Sequence, residues 1–252
     1  MDRVEIESWL KKYEIKNYTI NEDLSIDVAG SVDLNGLLGV LKVLPVKFRN
    51  VVGGFNCNFN ALKNLVGCPT SVGRYFYCDN NQLTSLEGCP TSIGGEFSCY
   101  NNRITSLEGC PEILPSNLYC GHNRLKNLIG GPISVGGNYS CYNNKLTSLE
   151  GCLQDVGGFF DCSGGDLVKL DCIFKVSGYF NCANNKLSSL EGCPTVVGSF
   201  TCMGNKLIES ELFLYDCSIE QVNKYYRNKK LSIDLLEGLE EVSVIEIKKN
   251  KI

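Results

Sequence analysis

Fifteen of the 252 residues are cysteine, the residue type here with the widest choice of chemistry. A thiolate can ligate zinc, form a disulfide or attack an electrophile. Spacing narrows that choice. Zinc sites usually draw on close pairs of the CxxC kind, and the chain has none. One set, Cys57, Cys78, Cys99, Cys120, Cys141, Cys162, Cys182 and Cys202, recurs every 20 or 21 residues. A second, Cys68, Cys89, Cys110, Cys152, Cys172 and Cys193, keeps the same rhythm, with Gly131 in the missing place. Residues stacked at a strand spacing of about 5 Å have parallel Cβ vectors, which is poor disulfide geometry. Cysteine is also a small hydrophobe and among the most buried residue types. Both columns are therefore expected to pack a core, with no metal and no cofactor. Cys217 stands apart, after Asp216 and just before an expected helix N-terminus that would favour its thiolate. His122 is the only histidine, so no general base is in sight for it. No paired-carboxylate, triad or phosphate-loop pattern occurs either. No catalytic residue is expected, and an enzyme is the least expected function.

The elements that position these thiols repeat with them. Three residues after each cysteine of the first column comes Asn60, Asn81, Asn102, Asn123, Asn144, Gly165, Asn185 or Asn205. Two residues before it comes an aromatic residue or Leu118, and four before that Val51, Val72, Ile93, Leu114, Val135, Val156, Val176 or Val196. A fixed period of this length signals a solenoid, whose coils bury their apolar faces only by stacking. F-x-C alternates with period 2, so both side chains face inward from one short strand. An inward Asn can donate to and accept from backbone groups where the chain leaves the strand. Pro69, Pro90, Pro111, Pro132 and Pro194 disfavour helix, and the Gly residues that follow allow a turn into the next strand.

The pattern F-x-C-x-x-N-x-L-x-x-L-x-G-C-P-x-x-V resembles, in its first part, the leucine-rich-repeat template L-x-L-x-x-N-x-L. The remainder, as in LTSLEGCPTSIGG, is similar to the short repeats of bacterial effector proteins, and LKVLPVKFRNV (41–51) comes closest to their wording. The resemblance covers residues 32–210. It implies a leucine-rich-repeat solenoid with a parallel β-sheet on the concave face and extended or 3₁₀ segments on the convex face. Cysteine-rich coils worded LTSLEGCP also look like repeats encoded by bacteriophages and large viruses. That implies a factor that engages or inhibits a host protein, in the host cytoplasm. Effector ligases of the related class carry a separate catalytic domain, for which this chain is expected to be too short.

Three regions follow: an N-terminal cap of helix plus β-hairpin (1–31), about eight coils plus a degenerate first coil (32–210), and a mainly helical C-terminal cap (211–252). Ile6, Trp9, Leu10 and Tyr13 predict an amphipathic helix over 3–15. YTI and LSIDV predict a hairpin around Asn21–Asp23. Ser218 precedes IEQVNKYYRNKK as a helix N-cap, a second helix is expected over 233–240, and VSVIEI (242–247) could form a strand. The coil DCSGGDLVKLDC has Gly165 for Asn and Ile173 for Pro, which predicts a weak point or bend near 162–175.

If Phe and Cys point inward, the residues flanking them point outward on the concave face. The candidate partner-binding residues are Tyr75, Tyr77, Asp79, Glu96, Ser98, Tyr100, Asn117, Tyr119, His122, Tyr142, Phe159, Asp161 and Tyr179. Tyr beside Asn and Ser suits protein recognition: a large contact area, few torsions and a polar tip. Tyr is also simply at home in strands. Basic (Arg103, Arg124, Lys145, Lys186, Lys206) and acidic (Glu87, Glu108, Glu150, Asp171, Glu191) rows beside the face solubilise the surface.

The net charge of −4 argues against nucleic acid, which needs clustered Lys and Arg. No apolar run approaches the ~20 residues that span a bilayer, and the charged first twenty residues lack the apolar stretch of a secretion signal. The expected location is cytoplasmic and the expected function non-enzymatic binding of another protein. A small-ligand (sugar or nucleotide) binding protein and a structural or virion component are the alternatives.

Overall fold

The computed structural model describes residues 1–39, 41–171, 175–196, 198–208, 211, 214, 218 and 220–234. Asp2 opens helix α1 (Arg3–Lys12) with a capping box: its carboxylate accepts from Glu5 N at 2.9 Å, and Glu5 Oε2 accepts from Asp2 N at 2.8 Å. Ile6, Trp9 and Leu10 are its buried stripe. Strands β1 (Tyr18–Ile20) and β2 (Ile26–Val28) pair as an antiparallel hairpin. The first coil, whose register is hidden in the sequence, then supplies β3 (Val32–Asp33) and β4 (Phe48–Val51). Val32 pairs with Phe55, and β4 pairs with β2, so the hairpin is fused to the solenoid.

The body is a parallel β-solenoid. Its first ladder has nine two-residue strands, from Val32–Asp33 through Phe97–Ser98 to Phe200–Thr201. Of the extended or 3₁₀ backbone expected opposite it, the extended form is found. No 3₁₀ turn occurs among the described coil residues. The Val column instead builds a second parallel ladder, pairing Val51 with Val72 and Val72 with Ile93. The next residue, glycine in several coils, extends it: Gly94 N donates to Val72 O at 2.9 Å and Ser177 N to Val156 O at 3.0 Å. At Gly94 no side chain fits, because a Cβ there would lie 2.3 Å from the Gly73 carbonyl oxygen.

This second ladder breaks once, between Ser92–Ile93 and Ile113–Leu114. Pro115 occupies the place of Gly94 in that coil. Having no N–H, it cannot donate to the Ile93 carbonyl.

The Asn doublets divide two tasks. Asn80, Asn101, Asn143 and Asn184 have φ between 51° and 54°, the left-handed region that Asn tolerates best after glycine. Phe59 and His122 hold the same place and conformation, both with φ 53°. The second Asn is a rung between coils. Asn102 Oδ1 accepts from Leu83 N at 3.0 Å, and Asn102 Nδ2 donates to Cys78 O at 3.0 Å and Cys99 O at 3.2 Å. Asn60, Asn81, Asn123, Asn144, Asn185 and Asn205 repeat this. Gly165 supplies no side chain for the rung above Leu146. Both ladders nevertheless keep register through Phe160–Asp161 and Lys175–Val176. The expected weak point also spans residues 172–174, outside the described ones.

Inside, the Phe column stacks, with ring centroids 5.8 Å apart for Phe55–Phe76 and for Phe76–Phe97. Tyr139 takes one Phe place, and where the cysteine is missing a Cβ on Gly131 would lie 2.9 Å from the Leu128 carbonyl oxygen and 3.1 Å from Leu107 Cδ1, with Tyr139 Oη 3.7 Å away. That oxygen is buried with no partner better than the weakly polar Cys120 thiol. Tyr139→Phe is therefore expected to stabilise the fold by about 1 kcal/mol, since it removes an unpaired buried hydroxyl. A denaturant titration with unchanged slope and a later midpoint is the expected reading; an earlier midpoint would count against it.

At the other end residues 220–234 are helical. Ser218 caps this helix by accepting from Gln221 N at 3.3 Å and donating to Gln221 Oε1 at 2.7 Å. Buried Glu211 ties it to the last coils. It accepts from Tyr226 Oη and from Lys229 Nζ at 2.9 Å, while Leu190 N donates to Tyr226 Oη at 2.9 Å. Of the second helix expected over 233–240, residues 233 and 234 continue the helix that begins at 220; the rest of it, the strand expected over 242–247, Cys172 and Cys217 lie outside the described residues.

Candidate functional site

The outward face of the first ladder carries the thirteen candidate residues, which are brought together by strand register. Tyr75 and Tyr77 stack at 4.5 Å. Tyr77 Oη donates to Glu96 Oε1 and Asn117 Nδ2 to Glu96 Oε2, each at 2.7 Å, so one carboxylate links three coils. Burial, helped by that carboxylate, pushes the Tyr77 hydroxyl up. The line continues: Asn117 Oδ1 accepts from Asn138 N at 2.8 Å, and Asn138 Oδ1 from Phe159 N at 3.0 Å.

A second network centres on Asp79. Its Oδ1 accepts from Ser98 Oγ and from Tyr100 N, the latter at 2.8 Å, and its N–H donates to Asn58 Oδ1. Burial pushes the Asp79 carboxyl up against the pull of these bonds. Tyr100, His122 and Tyr142 form an aromatic cluster, with His122 5.0 Å from each ring and the two tyrosines 6.1 Å apart. Burial, then the hydrogen bond with Tyr100, pushes the Tyr142 hydroxyl up to about 12. Asp161 Oδ1 accepts from Ser163 N at 2.9 Å and Ser163 Oγ at 2.6 Å. Its charge adds to burial in raising the Tyr179 hydroxyl. Tyr119 and Phe159 are half-buried in the same rows.

The face is less open than the alternation of strand residues implies. Ser98 is buried, as is Ser140, and the other twelve candidates are half-buried. The reason is lateral packing at the ~4.8 Å strand repeat. The Tyr75 ring lies across Gly54, where a Cβ would come within 2.2 Å of it, and the Tyr142 ring covers Gly121, where the distance would be 2.8 Å. Gly54 and Gly121 are thus part of the site; the signal that could have found them is a glycine in a column otherwise filled by side chains. Two further clefts are open. One of about 620 Å³, at the first strand of the ladder, is lined by Lys12, Tyr13 and Asp33; another of about 640 Å³ lies beside Ile93, Ile113 and Pro115.

No disulfide joins the described cysteines, and no three His, Cys, Asp or Glu side chains among the described residues are placed to hold a metal. The thiols of the first column donate to the next coil: Cys57 Sγ to Tyr77 O at 3.3 Å, Cys78 Sγ to Ser98 O at 3.4 Å. Burial pushes the thiols of Cys68, Cys78, Cys89, Cys99, Cys120, Cys141, Cys162 and Cys182 up. No described helix is long and apolar enough to cross a membrane. No protein-family model matches the chain, and comparison with curated proteins and with solved structures likewise yields no match.

Proposed function

We propose that this chain is a non-enzymatic scaffold of the leucine-rich-repeat type that engages another protein through the Tyr-rich face of its first ladder. The observation that carries the reading is the set of pre-packed tyrosines: Tyr75 on Tyr77 within one coil, and Tyr100 beside Tyr142 across the coil of His122. Rings already held by neighbours lose little conformational freedom on contact, so more of their contact energy appears as affinity. The Asn rung supports the repeat assignment, because it gives the N of F-x-C-x-x-N-x-L a reason at nearly every coil. The likeness of LTSLEGCP to phage and viral repeats supports a factor that acts on a host protein.

The test is affinity capture from native cells with the chain and with a Tyr77→Ser, Tyr100→Ser, Tyr119→Ser variant of matched thermal stability. The expected result is that the unaltered chain retains a protein at near-equimolar yield which the variant loses by tenfold or more, roughly the cost of two lost aromatic anchors. Recovery of the same proteins by both overturns the reading.

A further inference from the structure

The charge on this face is one-sided. Across the nine strands of the first ladder, the outward columns include Asp33, Asp79, Glu96 and Asp161 and no Lys or Arg, in a chain with 24 basic residues; the exposed Arg74 stands one residue before them, at the turn into the strand of Tyr77. The ion pairs among the described residues are Arg49–Asp27, Lys169–Asp171, Lys186–Asp166 and Lys229–Glu211, so none neutralises these four carboxylates. The nearest basic row, Arg103, Arg124 and Lys145, follows the Asn rung, where the chain has turned off the face.

Carboxylates alone would mean little on a surface. Here they alternate with ring faces. The Tyr100 and Tyr142 rings are 6.1 Å apart and inclined by 33°, with His122 set edge-on between them. A cation within about 6 Å of such a ring is attracted to its electron-rich face. Asp161 lies close enough to Tyr142 for its charge to be felt there. Both bonds from Ser163 fall on Asp161 Oδ1, leaving Oδ2 for an incoming donor. A planar guanidinium satisfies both demands at once, stacking on tyrosine and donating to a carboxylate.

We infer that the occupant of this face is a cationic segment of the partner protein, which seats an arginine or lysine head on Tyr100 and Tyr142 beside Asp161. The inference rests on the protein-binding reading and gives it a chemistry. The carboxylates, half-buried except for the exposed Asp33, set the polarity, and the tyrosines supply the contact area. The basic row at the edge turns away a segment shifted along the coil.

The test is fluorescence anisotropy with short extended peptides that carry three arginines, paired with the same peptides carrying citrulline, at ~0.15 M salt. The arginine peptides should bind roughly tenfold tighter, as expected for one desolvated cation–π contact plus one charge pair. A Glu96→Gln, Asp161→Asn variant should lose that preference. A Glu87→Gln, Glu108→Gln variant, with the same change of net charge off the face, should keep it within twofold. If the first double variant does not melt cooperatively, Glu96→Gln alone takes its place. Equal loss in both double variants, or no preference for arginine over citrulline, overturns the inference. If the tyrosine variant loses its captured protein while the peptides show no preference, protein binding stands and the cationic partner falls.

Discussion

The fold is expected to come apart between about pH 9 and pH 10, a range in which most domains of this size persist. Eight buried thiols are pushed up by burial, so the folded chain keeps their protons where the unfolded chain releases them. Below the unfolded thiol value of about 8.5 the two states bind the same protons and nothing is lost. Above it the unfolded state binds fewer, and stability falls as pH rises by about 1.4 kcal/mol per thiol per unit. Eight thiols together cost about 11 kcal/mol over one unit, comparable with the whole stability of a typical domain, about 5–15 kcal/mol. Circular dichroism followed upward in pH under a reductant should show a steep loss within about one pH unit, reversed on return to neutral pH. A variant with Cys78, Cys99, Cys120, Cys141 and Cys162 changed to Ala should unfold at higher pH, although it packs less well at pH 7. A structure intact at pH 11, or an unshifted midpoint in the variant, would refute the argument.

Asn102→Ala is expected to be the most damaging substitution of a single polar side chain. It leaves Leu83 N and the carbonyls of Cys78 and Cys99 without the amide that joins them. Each orphaned buried backbone group costs about 1–3 kcal/mol, so a total of about 4 kcal/mol is expected. Denaturant unfolding measures it directly; a loss under about 1 kcal/mol would mean that water replaces the amide. The converse change is Gly165→Asn. Its Cβ would meet Asn185 Oδ1 at 2.9 Å, the oxygen that already accepts from Leu167 N at 3.1 Å. Restoring the rung above Leu146 therefore disturbs the next one, and a net change of less than about 1 kcal/mol is expected.

Much of this was legible because the repeat samples each position many times. The Leu column, the first Cys column and the Phe column up to Phe180 are buried as their alternation requires, and the rung Asn was readable from its place after the strand; the second Cys column is core only in part, with Cys68 and Cys89 buried and Cys110, Cys152 and Cys193 half-buried. The second ladder was not. Ser-Val is too short for a period to show, and the Gly-Gly after it reads as a turn, whereas Gly94 is there to let two coils touch. The left-handed role of Asn101 and His122 was hidden as well, since it depends on a φ that several residue types can adopt. On the candidate face the alternation gave the correct side but not the depth. Depth depends on how far a tyrosine leans onto the neighbouring coil, as Tyr75 does onto Gly54, and one coil's sequence holds no such information.

Pro115 carries a consequence for cooperativity. In a stack of coils, stability is nearly a sum of intrinsic terms and couplings between neighbours. The junction between the coils of Ile93 and Leu114 is coupled through the first ladder, the rungs and the core, but not through the second ladder. Among the junctions of the described coils it is the one that lacks the second ladder. Partial unfolding should therefore stop there and divide the molecule into two blocks that melt in sequence. The clusters of the candidate face fall on both sides of that line, so a partner that bridges Tyr77 and Tyr142 would clasp the two blocks into a single cooperative unit.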